Sequence, residues 1–204
     1  LNFTTMAISM GDISKLRSMT GAGMMDCKKA LTEAEGDFDK AVEIIRKRGQ
    51  AIAAKRSDRD AAEGCILAGA KDGFAATIAL KCETDFVAKN ADFIALAQQI
   101  LDKAIEAKPA TLEELNGLSI GNSTIQQLIT DRSGVTGEKM ELGMYEFVNG
   151  EATFAYIHPG NRLASVVAFN QKGVDEQVYK DIAMQIAAMN PVAVDEAGVP
   201  ADVI

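Results

Sequence analysis

The sequence has no tryptophan, one histidine, three cysteines and four prolines among its 204 residues. Each scarcity excludes something. His158 has no second imidazole to join it, and Cys27, Cys65 and Cys82 form no C-x-x-C pair. Neither a zinc site nor a disulfide framework is therefore expected. The cysteines are expected to be small buried hydrophobes, which suits a reducing, cytoplasmic compartment. No apolar run approaches the ~18 residues of a membrane-spanning helix. Leu1 to Met10 carries neither a basic leader nor a long apolar stretch, so no secretory signal is expected there. Met6-Ala7 is expected to be a natural start behind a five-residue extension.

Basic residues are in the minority too, 21 Lys and Arg against 29 Asp and Glu, for a net charge of −8. That balance argues against sequence-independent binding to nucleic-acid backbones. Apolar content of 48% excludes wholesale disorder. The length lies between one ordinary domain and two small ones, at ~100–200 residues each. No phosphate loop, H-E-x-x-H, G-x-S-x-G or strand-borne G-x-G-x-x-G occurs. Gly21-Ala22-Gly23 sits between two helical patterns and is expected to be a turn. Paired carboxylates remain possible acids and bases, but no spacing singles out a pair.

What is present reads as two blocks. Ser9 with Asp12 signals a helix start, followed by Ile13, Leu16 and Met19. A second helix is expected from Met24 to about Ala34, and a third opens at Asp37 and ends at Gly49. These make a three-helix bundle over 9–49. Residues 50–62, Ala-rich and charged, are expected to be a solvated, partly helical linker. Arg46, Lys47 and Arg48 are either a helix C-terminus complementing the macrodipole or a docking patch. Gly64–Ala70 and Phe74–Cys82 flank Asp72-Gly73, a strong hairpin signal. A helix follows from Asn90, then short helices from Leu112 and after Asn122 or Ser123. Glu141–Val148 and Ala152–His158 around Asn149-Gly150 are expected to form a second hairpin, followed by a strand over 163–170. A last helix spans Asp175–Met189, with Val178, Ile182, Ile186 and Met189 on one face. The expected class is α+β, an antiparallel sheet packed with helices over 63–192. Asp195-Glu196 looks like the start of another helix, so 193–204 is expected to open a shortened C-terminal region.

Two features do not fit ordinary packing. Phe86 is a bulky aromatic between a strand and a helix start, where turns are normally polar. It is either core beneath the next helix or an exposed anchor for a partner. Met24 and Met25 point about 100° apart on a helix, so both cannot face one small core. One of them is expected at a contact surface.

The segments Thr20-Gly21-Ala22-Gly23-Met24-Met25-Asp26-Cys27-Lys28-Lys29-Ala30-Leu31 and Thr84-Asp85-Phe86-Val87-Ala88 closely resemble the two signatures of bacterial elongation factor Ts. The likeness extends to Ala53-Ala54-Lys55-Arg56 and to Ile182 through Pro191. It implies a guanine-nucleotide exchange factor, not an enzyme, that binds elongation factor Tu both with GDP and without nucleotide. It also implies that the N-terminal bundle is of the ubiquitin-associated kind, and that no cofactor, nucleic acid or membrane is bound directly. By the same resemblance Thr84, Asp85, Phe86 and Val87 would insert near the Mg²⁺ and phosphate site of Tu. Met24, Met25 and Lys28 would face Tu from the bundle, with His158 a further contact at a strand end. Long family members continue into a second core subdomain and a helical hairpin beyond the point where this chain stops. Two other readings stay open: an adaptor using only the helical module, and a small acid–base enzyme with a deep polar pocket.

Overall fold

A computed structural model describes residues 8–203, so the expected start at Met6-Ala7 and the final Ile204 lie outside the described residues. Helix α1 (Met10–Thr20) begins with a reciprocal capping box. The Asp12 amide donates to Ser9 Oγ, and the Ser9 amide to the Asp12 carboxylate, both at 3.1 Å. Gly21, at φ +70°, closes it in the left-handed region. Helices α2 (Met24–Glu33) and α3 (Phe38–Lys55, capped by Asp37) follow. Ile13, Leu16, Cys27, Ala30, Leu31 and Ala41 form a small separate core between them.

Gly49 does not end α3, which continues to Lys55. It is buried in mid-helix where α3 crosses α7 (Ile125–Thr136), and a Cβ on Gly134 of α7 would stand 2.2 Å from the Gly49 Cα. Gly49 serves close backbone approach rather than termination, its backbone lying where any side chain on Gly134 would have to go. Arg46 of α3 bridges the same crossing, reaching Asp131 at 3.2 Å and Ser123 at 2.8 Å.

Strands β1 (Glu63–Lys71) and β2 (Phe74–Cys82) are joined by Asp72-Gly73, with φ of +51° and +73° as a type I′ turn requires. Helix α5 (Ala91–Ala107) covers one face of β2, where Phe74, Ala76, Ile78, Leu80 and Cys82 meet Phe93, Ala97 and Ile100. The other face lies beneath a ribbon of β6 (Ala152–Ile157) and β7 (Ala164–Phe169). Burial on both sides accounts for the nearly continuous apolar run of β2.

The second expected hairpin does not form. Strand β5 (Glu141–Asn149) pairs with β2, giving the order β1-β2-β5, while β6 pairs with β7. Neither Asn149 nor Gly150 has the positive φ of a type I′ turn. Instead Gly150 crosses between layers: its amide donates to Gly73 O at 3.0 Å, and a Cβ there would lie 2.8 Å from Phe169 O. The class is α+β as expected. Among the described residues, however, the strands make three small antiparallel sheets rather than one, one of them the two-residue pair of β3 (Ser119–Ile120) with β4 (Ser123–Thr124).

The remaining helices are placed by local chemistry. Thr111 caps α6 (Leu112–Gly117), and Thr124, rather than Asn122 or Ser123, caps α7 through a box with Gln127. Helix α8 (Glu176–Met189) docks on the ribbon through Ala183, whose carbonyl accepts Ser165 Oγ at 2.7 Å, and through Tyr179, whose ring is tilted 44° to that of Phe169 with centroids 4.4 Å apart. Its expected inward stripe is therefore only partly inward. Ile182 and Ile186 are half-buried, Val178 is exposed and Met189 is 77% exposed. Asp195 caps a single 3₁₀ turn, Glu196–Gly198, where a longer helix was expected. Among the described residues no helix is long and apolar enough to cross a membrane.

Candidate functional site

Strand β2 delivers the chain directly into α4 (Asp85–Ala88), a single helical turn capped by the Thr84 hydroxyl, which accepts the Val87 amide. Four features fix this turn. Val87 and Ala88 pack against the main core. The Cys82 thiol donates to Thr84 O at 3.3 Å. Glu138, just past α7, accepts the amides of Glu83 and Thr84 and the Thr84 hydroxyl. Finally, Asn90 caps α5 immediately downstream and is itself held by Arg132 at 3.1 Å. On this fixed base the Phe86 ring is 84% exposed. An aromatic side chain turned into water from an anchored turn forgoes the ~1.5–3 kcal/mol that burying it would contribute. The expectation left open by the sequence is settled in favour of an exposed ring.

Charge around the turn is organised. Asp85 accepts Lys89 Nζ at 2.7 Å, and that hydrogen bond, with the ammonium charge, holds its carboxyl below the usual range. Burial pushes the Cys82 thiol up to about 12, with the nearby Glu138 charge adding to it, so this sulfur stays protonated and inert. All three cysteines are free and buried. Glu83 accepts the Lys139 amide at 2.7 Å and faces Arg59 at 3.0 Å and Arg56 at 3.6 Å. The amide first, then the guanidinium groups, lower its pKa against the opposing effect of burial. A lowered carboxylate pKa stabilises the fold above the unfolded-chain value, and that contribution is lost as pH falls through the folded-state value. Glu83→Gln is thus expected to be less stable than wild type near pH 7, with the gap closing below about pH 4. Denaturant titrations at both pH values check this; a gap independent of pH would contradict it.

The other expected site residues are spread out. Met24, Met25 and Lys28 are all exposed on α2, with Met25 at 64%, so both methionines, not one, face solvent. His158 is exposed in the β6–β7 loop, its Nδ1 2.9 Å from the Tyr156 hydroxyl. The bundle and the α4–α5 corner meet across a cleft of about 550 Å³, lined by Met19, Ile45 and Ile52 on one side and Leu96, Leu128 and Val135 on the other. Its central cations are already matched: Arg46 to Asp131 at 3.2 Å, and Arg132 to Asp92 at 3.0 Å. Among the described residues no group of three or more His, Cys, Asp or Glu side chains could hold a metal. Glu138 and Arg132, which hold the turn and the corner, carry no motif in the sequence that marks them.

A helical bundle and an exposed aromatic on an anchored turn of an α+β body mark a particular kind of protein. Comparison with known proteins says which kind. Residues 83–204 match the family model for Elongation factor TS. The chain is 65% identical over 190 residues to Elongation factor Ts of Porphyromonas gingivalis, covering 93% of this chain and 69% of that relative. It is 62% identical over 199 residues to the Bacteroides thetaiotaomicron protein of the same name, with coverage of 97% and 60%. For the Azobacteroides pseudotrichonymphae protein of that name, identity is 56% over 199 residues, with coverage of 98% and 73%. The chain belongs to the elongation factor Ts family, whose members serve translation elongation in protein biosynthesis, and it spans 60–73% of the length of these relatives.

Proposed function

We propose that the chain binds elongation factor Tu and accelerates release of GDP, so that Tu can take up GTP. The observation that carries this reading is Phe86, exposed on a turn that is itself immobilised. Insertion of that ring, with Asp85, near the phosphate and Mg²⁺ site of Tu would displace the groups that grip GDP. Thr84 and Val87 set the depth of insertion from either side. Met24, Met25 and Lys28 on the bundle supply an apolar and cationic second contact, and His158 a third from the β6–β7 loop. Residues 9–49 act as a module of the ubiquitin-associated kind and 63–192 as the body, with 50–62 between them and 193–204 leading away. No bond is made or broken by this protein; exchange is a matter of differential binding.

Linkage sets the scale. If the chain prefers nucleotide-free Tu, it weakens GDP binding by the same factor by which GDP weakens it, tenfold for every ~1.4 kcal/mol of differential contact. An adaptor using α2 alone would have no need of an anchored Phe86. The test is binding of the full chain to Tu, measured with and without GDP. Affinity for the nucleotide-free form is expected to exceed that for the GDP form by about tenfold or more, and equal affinities would contradict the proposal.

A further inference from the structure

Glu138 spends its whole carboxylate on one turn. Oε2 accepts the amides of Glu83 and Thr84, each at 3.1 Å, and Oε1 accepts the Thr84 hydroxyl at 2.6 Å. The grip is returned, because Glu83 Oε1 accepts the Lys139 amide at 2.7 Å. Two segments more than fifty positions apart in sequence are thus laced together by reciprocal side chain-to-backbone bonds. Glu138 is in turn fixed from α7: its carbonyl accepts the buried Ser133 hydroxyl, and its amide donates to Thr136 Oγ1 at 3.3 Å. The Thr84 hydroxyl that Glu138 holds is also the cap of α4.

This matters because Phe86 touches little of its own protein. A ring without neighbours is not aimed by packing, so its direction is set through the backbone behind it. We propose that Glu138 is a positioning residue for exchange, fixing the Thr84–Val87 turn so that Phe86 meets Tu already oriented. The proposal rests on the reading of Phe86 as the inserted group. Preorganisation of this kind lowers the ordering cost at the moment of binding. Its loss should therefore fall on the step that uses the ring, not on docking at large.

The experiment measures labelled-GDP release from Tu at rising concentrations of the full chain, for wild type, Glu138→Ala, Phe86→Ala and the double variant. Glu138→Ala is expected to lower the saturated release rate about tenfold, while the half-saturating concentration changes less than about threefold. Glu138→Gln, which keeps an oxygen for the two amides, recovers most of that rate. In the Phe86→Ala background, Glu138→Ala changes release by less than about twofold, since residues acting as a unit are not additive. Wild-type release by Glu138→Ala, or the same factor lost with and without Phe86, would overturn the proposal. Wild-type release by Phe86→Ala would instead overturn the exchange reading, and the positioning role with it. Should Glu138→Ala fail to fold, Glu138→Asp, one methylene too short to reach all three donors, takes its place with the same expectations.

Discussion

Phe86→Ala should leave the protein folded and able to bind Tu, yet slow the GDP release it stimulates by about 10- to 100-fold. The ring is 84% exposed, so its removal takes almost nothing from the core. Thermal stability should stay within about 0.5 kcal/mol of wild type, as for other surface substitutions. Burying a phenylalanine in a partner's pocket contributes about 1.5–3 kcal/mol, and only contacts made with the open, GDP-releasing form of Tu count toward exchange. If the ring is buried in that form alone, the whole contribution appears in the release rate. Stopped-flow release of a fluorescent GDP measures the loss, and thermal unfolding of the free variant checks the intact fold. A variant that released GDP as fast as wild type would remove the wedge from the mechanism.

The second large effect concerns how the helical module is held against the body. At the α3–α7 crossing a Cβ on Gly134 would lie 2.2 Å from Gly49 Cα and about 3 Å from Gly49 C and O. Those are backbone atoms, which no rotamer change can move aside. Gly134→Val should therefore force the helices apart, costing about 1–3 kcal/mol or more by overpacking and straining the Arg46 bonds to Asp131 and Ser123. The reverse substitution is not equivalent. A Cβ on Gly49 would meet its nearest atom, Gly134 Cα, at 3.4 Å, an ordinary contact. Gly49→Ala should accordingly be close to neutral, with helix propensity contributing up to about 1 kcal/mol in its favour. Urea unfolding of the two variants side by side reads the asymmetry. Equal destabilisation by both would contradict the asymmetry of the crossing.

The contrast between Gly49 and Asp72-Gly73 explains what the sequence could disclose. Turn type and helix caps are decided within four residues, so Ser9 with Asp12, Asn90 and Asp72-Gly73 were legible from local chemistry alone. Gly49 and Asn149-Gly150 carry the same local signals, but distant backbones decide their roles: α7 in one case, β2 and β7 in the other. Strand partner choice is likewise non-local, and β5 joined β2 across more than fifty intervening residues. The candidate site divides along the same line. Its motif, Thr84 to Val87, could be read from the chain by resemblance, and so could Met24, Met25 and Lys28 on a helix. Whether Phe86 was core or surface could not, because nothing in the sequence says which side of α5 the preceding turn takes. Glu138 was invisible, being tied to the turn by bonds that span 54 and 55 positions.

The most direct measurement is the GDP dissociation rate of Tu as the wild-type chain is titrated in. The rate is expected to climb to a plateau at least about tenfold above that of Tu alone, in step with complex formation. A complex that forms while GDP leaves no faster would contradict it.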